Sequence, residues 1–311
     1  MNGETVSGSA TLSEARVPLC VPDLRGREAE YLAKCVADNW VSSAGPYVTQ
    51  FERRMAELAG RDTAIAAMNG TAALHLALIG VGVQSGDFVV VPDWTFAATA
   101  NAVVQAGAIP FFVDIDEADW TLCPDSLVEA FDAQGERIRA VIGVDVLGVL
   151  ADFPKITRIA ELNSATVIED AAGAIGARRF GKPAGAFGHS SIFSFNGNKT
   201  VTAGGGGMVA LDDAEVAERL RHLSTQARVG QEYEFDEIGF NYRMTNVNAA
   251  IGLAQLERLS EMTSRKREIA ASYNAACEDR DDIFFMPHGR SNENSCWISS
   301  VRLSNEEAAR N

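Results

Sequence analysis

The feature that most constrains the fold is an alternation, from about residue 60, between short apolar stretches and longer segments with helical spacing. The apolar stretches predict strands at 63–67, 87–91, 109–115, 138–146 and 166–170, with helices between them at 71–81, 95–107, 124–133 and 151–163. Strands that are apolar on both faces and joined by helices form a mostly parallel sheet with helices on both sides. We therefore predict an α/β fold, a three-layer sandwich around a mostly parallel central sheet.

In the second half of the chain, two short strands surround a glycine run and longer helical segments follow. The predicted strands are 189–195 and 207–211, and the predicted helices are 212–225, 245–278 and, near the N-terminus, 26–39. We divide the chain into a large domain over 1–255 and a smaller C-terminal α+β domain over 256–311, on which the N-terminal segment is expected to pack. Because the chain stops just after a predicted strand over 297–303 and a cap-like Ser304 that leads EEAAR (306–310), we expect the small domain to be incomplete.

Composition excludes several classes of function. The chain carries 42 acidic and 27 basic side chains, for a net charge of −15. Such a surface repels phosphate backbones and anionic lipid, which argues against general nucleic-acid and membrane-surface binding, and no apolar run is long enough to span a membrane. The five cysteines contain no C-x-x-C pair and the four histidines are scattered singly, so we predict no metal site and reduced thiols in a cytoplasmic protein.

Ligands of open α/β sheets bind beyond the carboxyl ends of the strands, where three motifs are predicted to lie. The first is MNGTAALH (68–75), which follows a strand and opens a helix. Gly70 allows a tight turn, while Thr71 and Ala72 offer a hydroxyl and backbone N–H groups at the positive end of the helix, which suits a phosphate. The alternative is an ordinary strand-to-helix turn with a threonine near the cap.

The other two motifs contribute a carboxylate and an amine. Asp170 ends a strand expected to be buried, where a charge needs a cationic or hydrogen-bonding partner; the alternative is a helix cap. Lys199 lies in a glycine- and asparagine-rich loop between two apolar strands, before four consecutive glycines at 204–207. A partly desolvated lysine has a lowered pKa and acts as nucleophile and base, whereas the alternatives are a surface lysine beside a simple hairpin turn.

None of the three motifs is decisive alone. Together, a phosphate cradle, a buried acid and a reactive lysine at the ends of strands are the parts that a pyridoxal 5'-phosphate (PLP) site requires. That cofactor needs an imine-forming lysine, a carboxylate on its pyridinium nitrogen and an anion site. The three motifs together therefore indicate a PLP enzyme.

With these motifs in order, the chain resembles the DegT-like sugar aminotransferases, a branch of the fold-type I PLP enzymes that acts on nucleotide-linked keto sugars. The resemblance runs from about Val17 to the end of the chain. It rests on NWVSSAGPYVTQFE (39–52), NGTAALHLAL (69–78), VPDWTFAATANAVVQAGAIPFFVDID (91–116), VIEDAA (167–172), SFNGNK with GGGG (194–207) and GFNYRMTNVNAAIGLAQLERL (239–259).

The resemblance implies roles for three residues at the cofactor ring. Lys199 forms the covalent imine with PLP, Asp170 pairs with the pyridinium nitrogen, and Phe96 stacks on the ring. The alternative for Phe96 is a place in the apolar core.

The resemblance also implies a phosphate site and a dimer. Gly70, Thr71, Ala72 and Ser194 hold the phosphate of the cofactor. Asn241 reaches the phosphate of the neighbouring protomer's cofactor, which makes the protein a homodimer with shared active sites. The alternatives are a strand hydroxyl for Ser194 and a helix-entry group for Asn241.

One position departs from the family pattern. Three residues after Asp170, where this family usually places Gln or His and sometimes Glu, the chain has Gly173. A polar contact near the ring is therefore missing or is supplied by another group, and Asn198 and His189 are candidates.

The implied reaction is transfer of an amino group from L-glutamate to the keto group of a nucleotide-linked keto-deoxy sugar. The motifs WVSSAGPY and SFNGNK resemble those of the branch that aminates carbon four of UDP-linked 4-keto-6-deoxy-N-acetylhexosamines. That branch serves surface-glycan or nonulosonic-acid biosynthesis. One alternative is a related PLP-fold sugar dehydratase, which carries His in place of Lys199. The other alternative is a non-catalytic PLP-fold regulatory subunit.

Overall fold

The computed structural model describes residues 18–230, 233–286 and 292–304, and a seven-stranded sheet runs through the centre of this part of the chain. The strands are β1 Thr63–Ala67, β2 Phe88–Pro92, β3 Ile109–Val113, β4 Ile138–Val144, β5 Thr166–Asp170, β6 Arg178–Arg179, β7 Lys182–Pro183, β8 Ser190–Ser194, β9 Gly207–Leu211, β10 Arg228–Val229, β11 Glu234–Phe235, β12 Ile283–Phe285, β13 Asn292–Glu293 and β14 Val301–Leu303. The helices are α1 Glu28–Ala37, α2 Pro46–Ala59, α3 Gly70–Gly80, α4 Ala97–Gln105, α5 Pro124–Gln134, α6 Phe153–Leu162, α7 Ala214–Ser224, α8 Asn246–Leu256 and α9 Leu259–Ala276.

The central sheet has the strand order β1-β9-β8-β5-β4-β2-β3. Pairing is parallel from β3 through β2, β4 and β5 to β8. Strand β9 is antiparallel to both β8 and β1, so β1 points the same way as the parallel strands. This topology confirms the predicted α/β fold with a mostly parallel sheet, and it brings the carboxyl ends of the parallel strands to one edge.

Each face of the sheet has its own apolar core. In β2, Phe88 and Val90 face the core formed with α2, α5, α6 and α8, whereas Val89 and Val91 face the core formed with α3, α4 and α7. Successive side chains of a strand point to opposite faces, and burial of each large apolar side chain stabilises the fold by about 1.5–3 kcal/mol. The helices therefore form a layer on each side of the sheet, which confirms the predicted three-layer sandwich.

The helix predicted over 245–278 is broken into α8 and α9. Arg258 lies at the break with φ −110° and ψ 9°, and its guanidinium binds the carboxylates of Asp23 and Glu261. The Arg258–Asp23 ion pair therefore joins the N-terminal segment to the start of α9.

Helix α1 also packs on α8. The Nε2 group of Gln255 donates a hydrogen bond to Glu28 Oε1 at 2.5 Å, and the Tyr31 hydroxyl donates to the carboxylate of Glu257. The N-terminal segment thus contacts the chain around residues 255–258. The division into domains at residue 255 stays a prediction.

Helix α2 has no counterpart among the helices predicted above. Pro46 occupies its first turn, and Gly60 ends it in the left-handed region with φ 67°. Phe51 and Met55, both fully buried, attach the helix to the core. None of the helices in the described part of the chain combines the length and apolar content that crossing a membrane requires.

The C-terminal part contains α9 and an antiparallel pair of β12 with β14. The strand predicted over 297–303 is shorter than expected, because only Val301–Leu303 pairs with β12. Trp297 instead turns towards a cavity at the edge of the central sheet. The helix start predicted at 306–310 lies outside the described residues.

Candidate active site

A cavity of about 440 Å³ lies at the carboxyl ends of the parallel strands. This volume is within the range of small-molecule sites, about 300–1,000 Å³. The predicted site residues that line the cavity are Gly70, Thr71, Phe96, Asp170, Ser194 and Lys199. The fold therefore brings together residues that are separated by up to 129 positions in the sequence, 199 − 70.

Lys199 is half-buried in the loop that follows β8. Its backbone N–H donates to the Asn196 carbonyl at 3.0 Å, and its Nζ lies 3.4 Å from the centroid of the Trp297 ring. Burial lowers the pKa of Lys199 to about 8, although Asp170 and Cys20 act to raise it. A larger fraction of this amine is therefore neutral near neutral pH than of an ordinary lysine, as a nucleophile or base requires.

Asp170 ends β5 with its carboxylate in the cavity, and the residue is only 6% exposed. Thr99 Oγ1 donates to Oδ2 at 3.0 Å, and the Ala172 N–H donates to Oδ1 at 3.2 Å. Burial raises the pKa of Asp170, while these two hydrogen bonds and the charge of Lys199 oppose the rise. A cation bound in the cavity would favour the ionised carboxylate further.

The N-terminus of α3 forms a cradle for an anion. Gly70 and Thr71 stand in the first turn of α3, where N–H groups have no acceptor within the helix and the helix dipole is positive. Ser194 lies directly beside them, because a Cβ on Gly70 would come within 2.9 Å of the Ser194 Cβ and 3.2 Å of its Oγ. Glycine at position 70 therefore lets the end of β8 approach the start of α3.

Ala72 does not line the cavity. It is 4% exposed, and its N–H donates to the Asn69 side chain at 2.8 Å, where Asn69 caps the helix. We expected this N–H group to be free to bind a phosphate, but in the structure it donates to the side chain of Asn69 instead.

Phe96 stands just before α4, and its ring is exposed at the cavity. The residue is 82% exposed, so the alternative that placed it in the apolar core is wrong. An exposed aromatic face beside Asp170 is available to pack on a planar ligand.

Two residues considered at the sequence level lie away from the cavity. Asn241 is exposed and pairs with Thr225 in an isolated β-bridge, so it does not line the cavity of its own chain. His189 is exposed and precedes β8, at the opposite end of that strand from Ser194. His189 therefore cannot replace the polar contact missing at Gly173, whereas Asn198 does line the cavity.

Asp145 and Trp297 also line the cavity, and the sequence analysis missed both. Asp145 directly follows β4, much as Asp170 ends β5. Its place at the carboxyl end of a strand could therefore have identified it from the sequence. It is 1% exposed, and burial together with the neighbouring Glu169 raises its pKa well above the usual carboxyl value. Trp297 lies in a stretch whose pattern indicates a strand, so no local signal identified it.

Among the described residues, one group of side chains converges closely enough to hold a metal ion: His222, Asp236 and Glu237. Asp236 and Glu237 are exposed and His222 is partly exposed; none of them lines the cavity, and such acidic surface clusters are common without a metal.

The residues of the cavity fit PLP. A half-buried amine, a buried carboxylate and a helix N-terminus face the same space, and they match the aldehyde, the ring nitrogen and the phosphate of that cofactor. An exposed aromatic ring beside them matches the flat face of the pyridine.

Comparison with known proteins agrees with this chemistry. The sequence model of the DegT/DnrJ/EryC1/StrS aminotransferase family matches residues 22–311. GDP-perosamine synthase of Escherichia coli O157:H7 is 42% identical over 258 residues, which cover 83% of this chain and 70% of that protein. EpsN of Bacillus subtilis (strain 168), provisionally named a pyridoxal phosphate-dependent aminotransferase, is 38% identical over 294 residues, 93% of this chain and 76% of that protein.

The crystal structure of a DegT DnrJ EryC1 StrS aminotransferase from Brucella abortus superposes with a TM-score of 0.84 at 34% sequence identity. The match covers 91% of this chain and 76% of that chain. The similarity of the fold therefore extends over nearly the whole chain.

Proposed function

The chain belongs to the DegT/DnrJ/EryC1/StrS aminotransferase family, whose cofactor is PLP, and we propose that it transfers an amino group from L-glutamate to the keto group of a nucleotide-linked keto-deoxy sugar. The observation that carries this proposal is the convergence of Lys199, Asp170 and the N-terminus of α3 on one cavity. The proposal gives each of these groups a separate chemical task.

PLP, when bound, supplies an aldehyde that bonds to amines and a ring that accepts an electron pair from a neighbouring carbon. Lys199 Nζ would provide the amine that holds the cofactor and, once released, would take a proton from the α-carbon of the donor and deliver it to the C4′ carbon of the cofactor. Its lowered pKa supports this task, because a base must be neutral before it accepts a proton. Asp170 holds a proton on the ring nitrogen by its negative charge.

The remaining groups position the cofactor. Gly70 and Thr71 bind the phosphate through backbone N–H groups, and the Ser194 hydroxyl lies beside them to donate a further hydrogen bond. Phe96 covers one face of the ring and excludes water from it. These contacts would hold the cofactor in the cavity near Lys199.

For the acceptor, we propose carbon four of a 4-keto-6-deoxy sugar, with a UDP-linked N-acetylhexosamine as the specific substrate. The resemblance of WVSSAGPY and SFNGNK to that branch supports UDP, whereas the E. coli relative is named for a GDP-linked sugar. Surface-glycan or nonulosonic-acid biosynthesis is the process that such an amino sugar would enter.

The assay that tests this function separates the two nucleotides. Purified protein with PLP and L-glutamate receives either UDP-linked or GDP-linked 4-keto-6-deoxy sugar, and release of 2-oxoglutarate is measured against a reaction without sugar. Sugar-dependent release supports the aminotransferase, and the faster nucleotide identifies the substrate. Loss of water from the sugar without consumption of glutamate would instead identify a dehydratase, and no reaction at all would favour the regulatory subunit.

We also propose a homodimer in which Asn241 serves the partner's active site. Tyr233, Phe235 and Ile238, close to Asn241 in the chain, are 85%, 54% and 87% exposed, and burial of such side chains favours association. Mixing inactive Lys199→Ala and Asn241→Ala proteins tests this arrangement. Mixed dimers regain activity if Asn241 acts across the interface, since one of their sites is then intact; activity stays absent if Asn241 acts within its own chain.

A cytoplasmic location is proposed with this function. The five cysteines are free thiols in the structure, as is usual for proteins of reducing compartments. Cell fractionation followed by immunoblotting tests this location, and recovery of the protein outside the cytoplasmic fraction would contradict it.

A further inference from the structure

Residue 173 is a glycine although its backbone does not require one. Its φ lies outside the left-handed region that favours glycine. A Cβ built on Gly173 would lie 2.6 Å from Trp297 Cε3 and 3.1 Å from Cζ3, and the first distance is shorter than a real Cβ contact. The missing side chain at position 173 therefore corresponds to a space that the indole of Trp297 fills.

The segment 294–297, which carries Trp297, is firmly attached at this place. Ser295 is fully buried, and its Oγ donates to the Gly173 carbonyl at 3.1 Å. Arg267 Nε donates to the Asn294 carbonyl at 2.8 Å and so attaches the segment to α9. The indole is thus held in the cavity by the contacts of Asn294 and Ser295, which precede it in the chain.

The indole also contacts the loop that carries the reactive amine. Trp297 Nε1 donates to the Asn198 carbonyl at 2.7 Å, one residue before Lys199. The ring centroid is 3.4 Å from Lys199 Nζ, within the distance of a cation–π contact. One side chain therefore joins the turn after β5 to the loop after β8.

We propose that Trp297 is a positioning residue for the reactive amine: its indole closes the cavity over Lys199 Nζ in the space that a side chain at position 173 would occupy. This inference deepens the proposed function and rests on it, because it concerns the amine that holds the cofactor. It also accounts for Gly173, since a larger residue there and this position of the indole exclude each other.

Closure by the indole acts on the amine in two opposing ways. The ring excludes water from Nζ, which disfavours the ammonium form, and its π face attracts the ammonium. The charges of Asp170 and Cys20 raise the pKa of the amine. Asp145 lines the same cavity, but burial and the neighbouring Glu169 raise its pKa and so favour its neutral form. Burial is the largest cause of the low pKa of Lys199, so removal of the ring should raise that pKa.

The test measures the pH dependence of the amine directly. Full-length protein freed of cofactor is treated with trinitrobenzenesulfonate over a range of pH, and modification of Lys199 is followed by peptide mapping. The midpoint of the profile reports the pKa, independently of how easily the reagent enters. Trp297→Ala should move the midpoint from about 8 towards the ordinary lysine value of 10.5. The neutral fraction at pH 7 then falls about tenfold for each unit of the shift.

Gly173→Ala should shift the midpoint in the same direction, because its Cβ displaces the indole, and the double variant should show no further shift. Gly197→Ala is the matched control, since a Cβ there has no atom within 4 Å and its φ is also outside the left-handed region. Should Trp297→Ala not fold, Trp297→Phe keeps a smaller ring and should give a smaller shift in the same direction.

The outcomes separate the inference from the function on which it rests. If the wild-type midpoint lies near 8 and Trp297→Ala and Gly173→Ala leave it unchanged, the positioning role is wrong while the proposed function stands. Additive shifts in the double variant would also overturn it, because they would show that the two positions act independently. If borohydride fails to fix PLP on Lys199 of the wild type, the proposed function fails first.

Discussion

Glu169 and Asp170 are consecutive residues of β5 that carry carboxyl groups to opposite faces of the sheet. Glu169 shares its face with Val167 and the layer of α6, whereas Asp170 shares its face with Ile168 and the cavity. Both are buried, at 0% and 6% exposure, and burial raises the pKa of both. Burial alone therefore does not distinguish a structural acid from one that is available to a ligand.

The partners of the two carboxylates make the distinction. The oxygens of Glu169 accept backbone N–H groups from Gly185 and Phe187 at 2.7 and 2.9 Å, which ties that acid to the loop before β8. Asp170 accepts one N–H group and one hydroxyl and faces a cavity that also contains an amine. The first acid should therefore matter for stability and the second for chemistry.

The largest effect is expected from removal of the amine that faces Asp170. Lys199→Ala removes both the cofactor attachment and the base; the loss of acid–base catalysis alone should lower kcat about 10²- to 10⁴-fold, and the loss of the attachment adds to it. Because the side chain lies on a loop at the cavity, thermal unfolding should change little. Turnover is measured by 2-oxoglutarate release, and persistent activity would mean that another residue acts as the base.

Asp170→Asn tests the chemical side of the comparison. Loss of one electrostatic group at a reacting centre lowers kcat by about 10²- to 10³-fold, and we expect an effect of this size here. The free energy of unfolding of the cofactor-free protein should stay close to the wild-type value, because the amide oxygen still accepts the Ala172 N–H, the Thr99 hydroxyl can rotate to accept from the amide NH2, and no charge is buried. A variant that unfolds much more easily but retains kcat would reverse the assignment of the two acids.

Glu169→Gln tests the structural side. An amide presents only one oxygen to two N–H donors, and a buried donor left without an acceptor costs about 1–3 kcal/mol, to be measured by urea denaturation. Since the folded-state pKa of Glu169 is raised, its contribution to stability is present below the unfolded-state value of about 4.5 and is lost as the pH rises towards neutral. The variant should therefore show a smaller fall in unfolding free energy between pH 4.5 and neutral than the wild type. An unchanged slope would exclude Glu169 as the titrating group.

Thr99→Val tests the role of the partners of Asp170. The substitution removes the hydroxyl that donates to Oδ2 and keeps the shape of the side chain. Loss of one hydrogen bond to a charged group corresponds to about 1.5–3 kcal/mol, and we expect it as weaker binding of PLP in a titration followed by absorbance. Unchanged affinity would show that the Ala172 N–H alone is sufficient to orient the carboxylate.

Much of the sheet side of the cavity was predictable. The apolar stretch 166–170 and its neighbours predicted parallel strands, and Asp170 at a strand end therefore had a predictable place at the ligand-binding edge. Lys199 was recognised by its position between two apolar strands, which the structure contains as β8 and β9. Such signals are local, because they depend on residue order along one strand or turn.

Other features had no local signal. Arg258, at the break between α8 and α9, forms an ion pair with Asp23, and these residues are 235 positions apart. The use of the Ala72 N–H by the Asn69 cap is different: it is a local contact between residues three apart, and the preference of Asn for helix N-caps was a usable signal.

Periodicity and strand-end position are properties of neighbouring residues, so they were sufficient to predict the layers, the direction of the strands and the edge at which the acid and the amine meet. Two further features are visible only in the fold: Glu169 is held by the loop before β8, and Trp297 fills the space beside Gly173. The physical reason is that these outcomes depend on contacts between segments distant in the chain, whose distances no periodicity encodes.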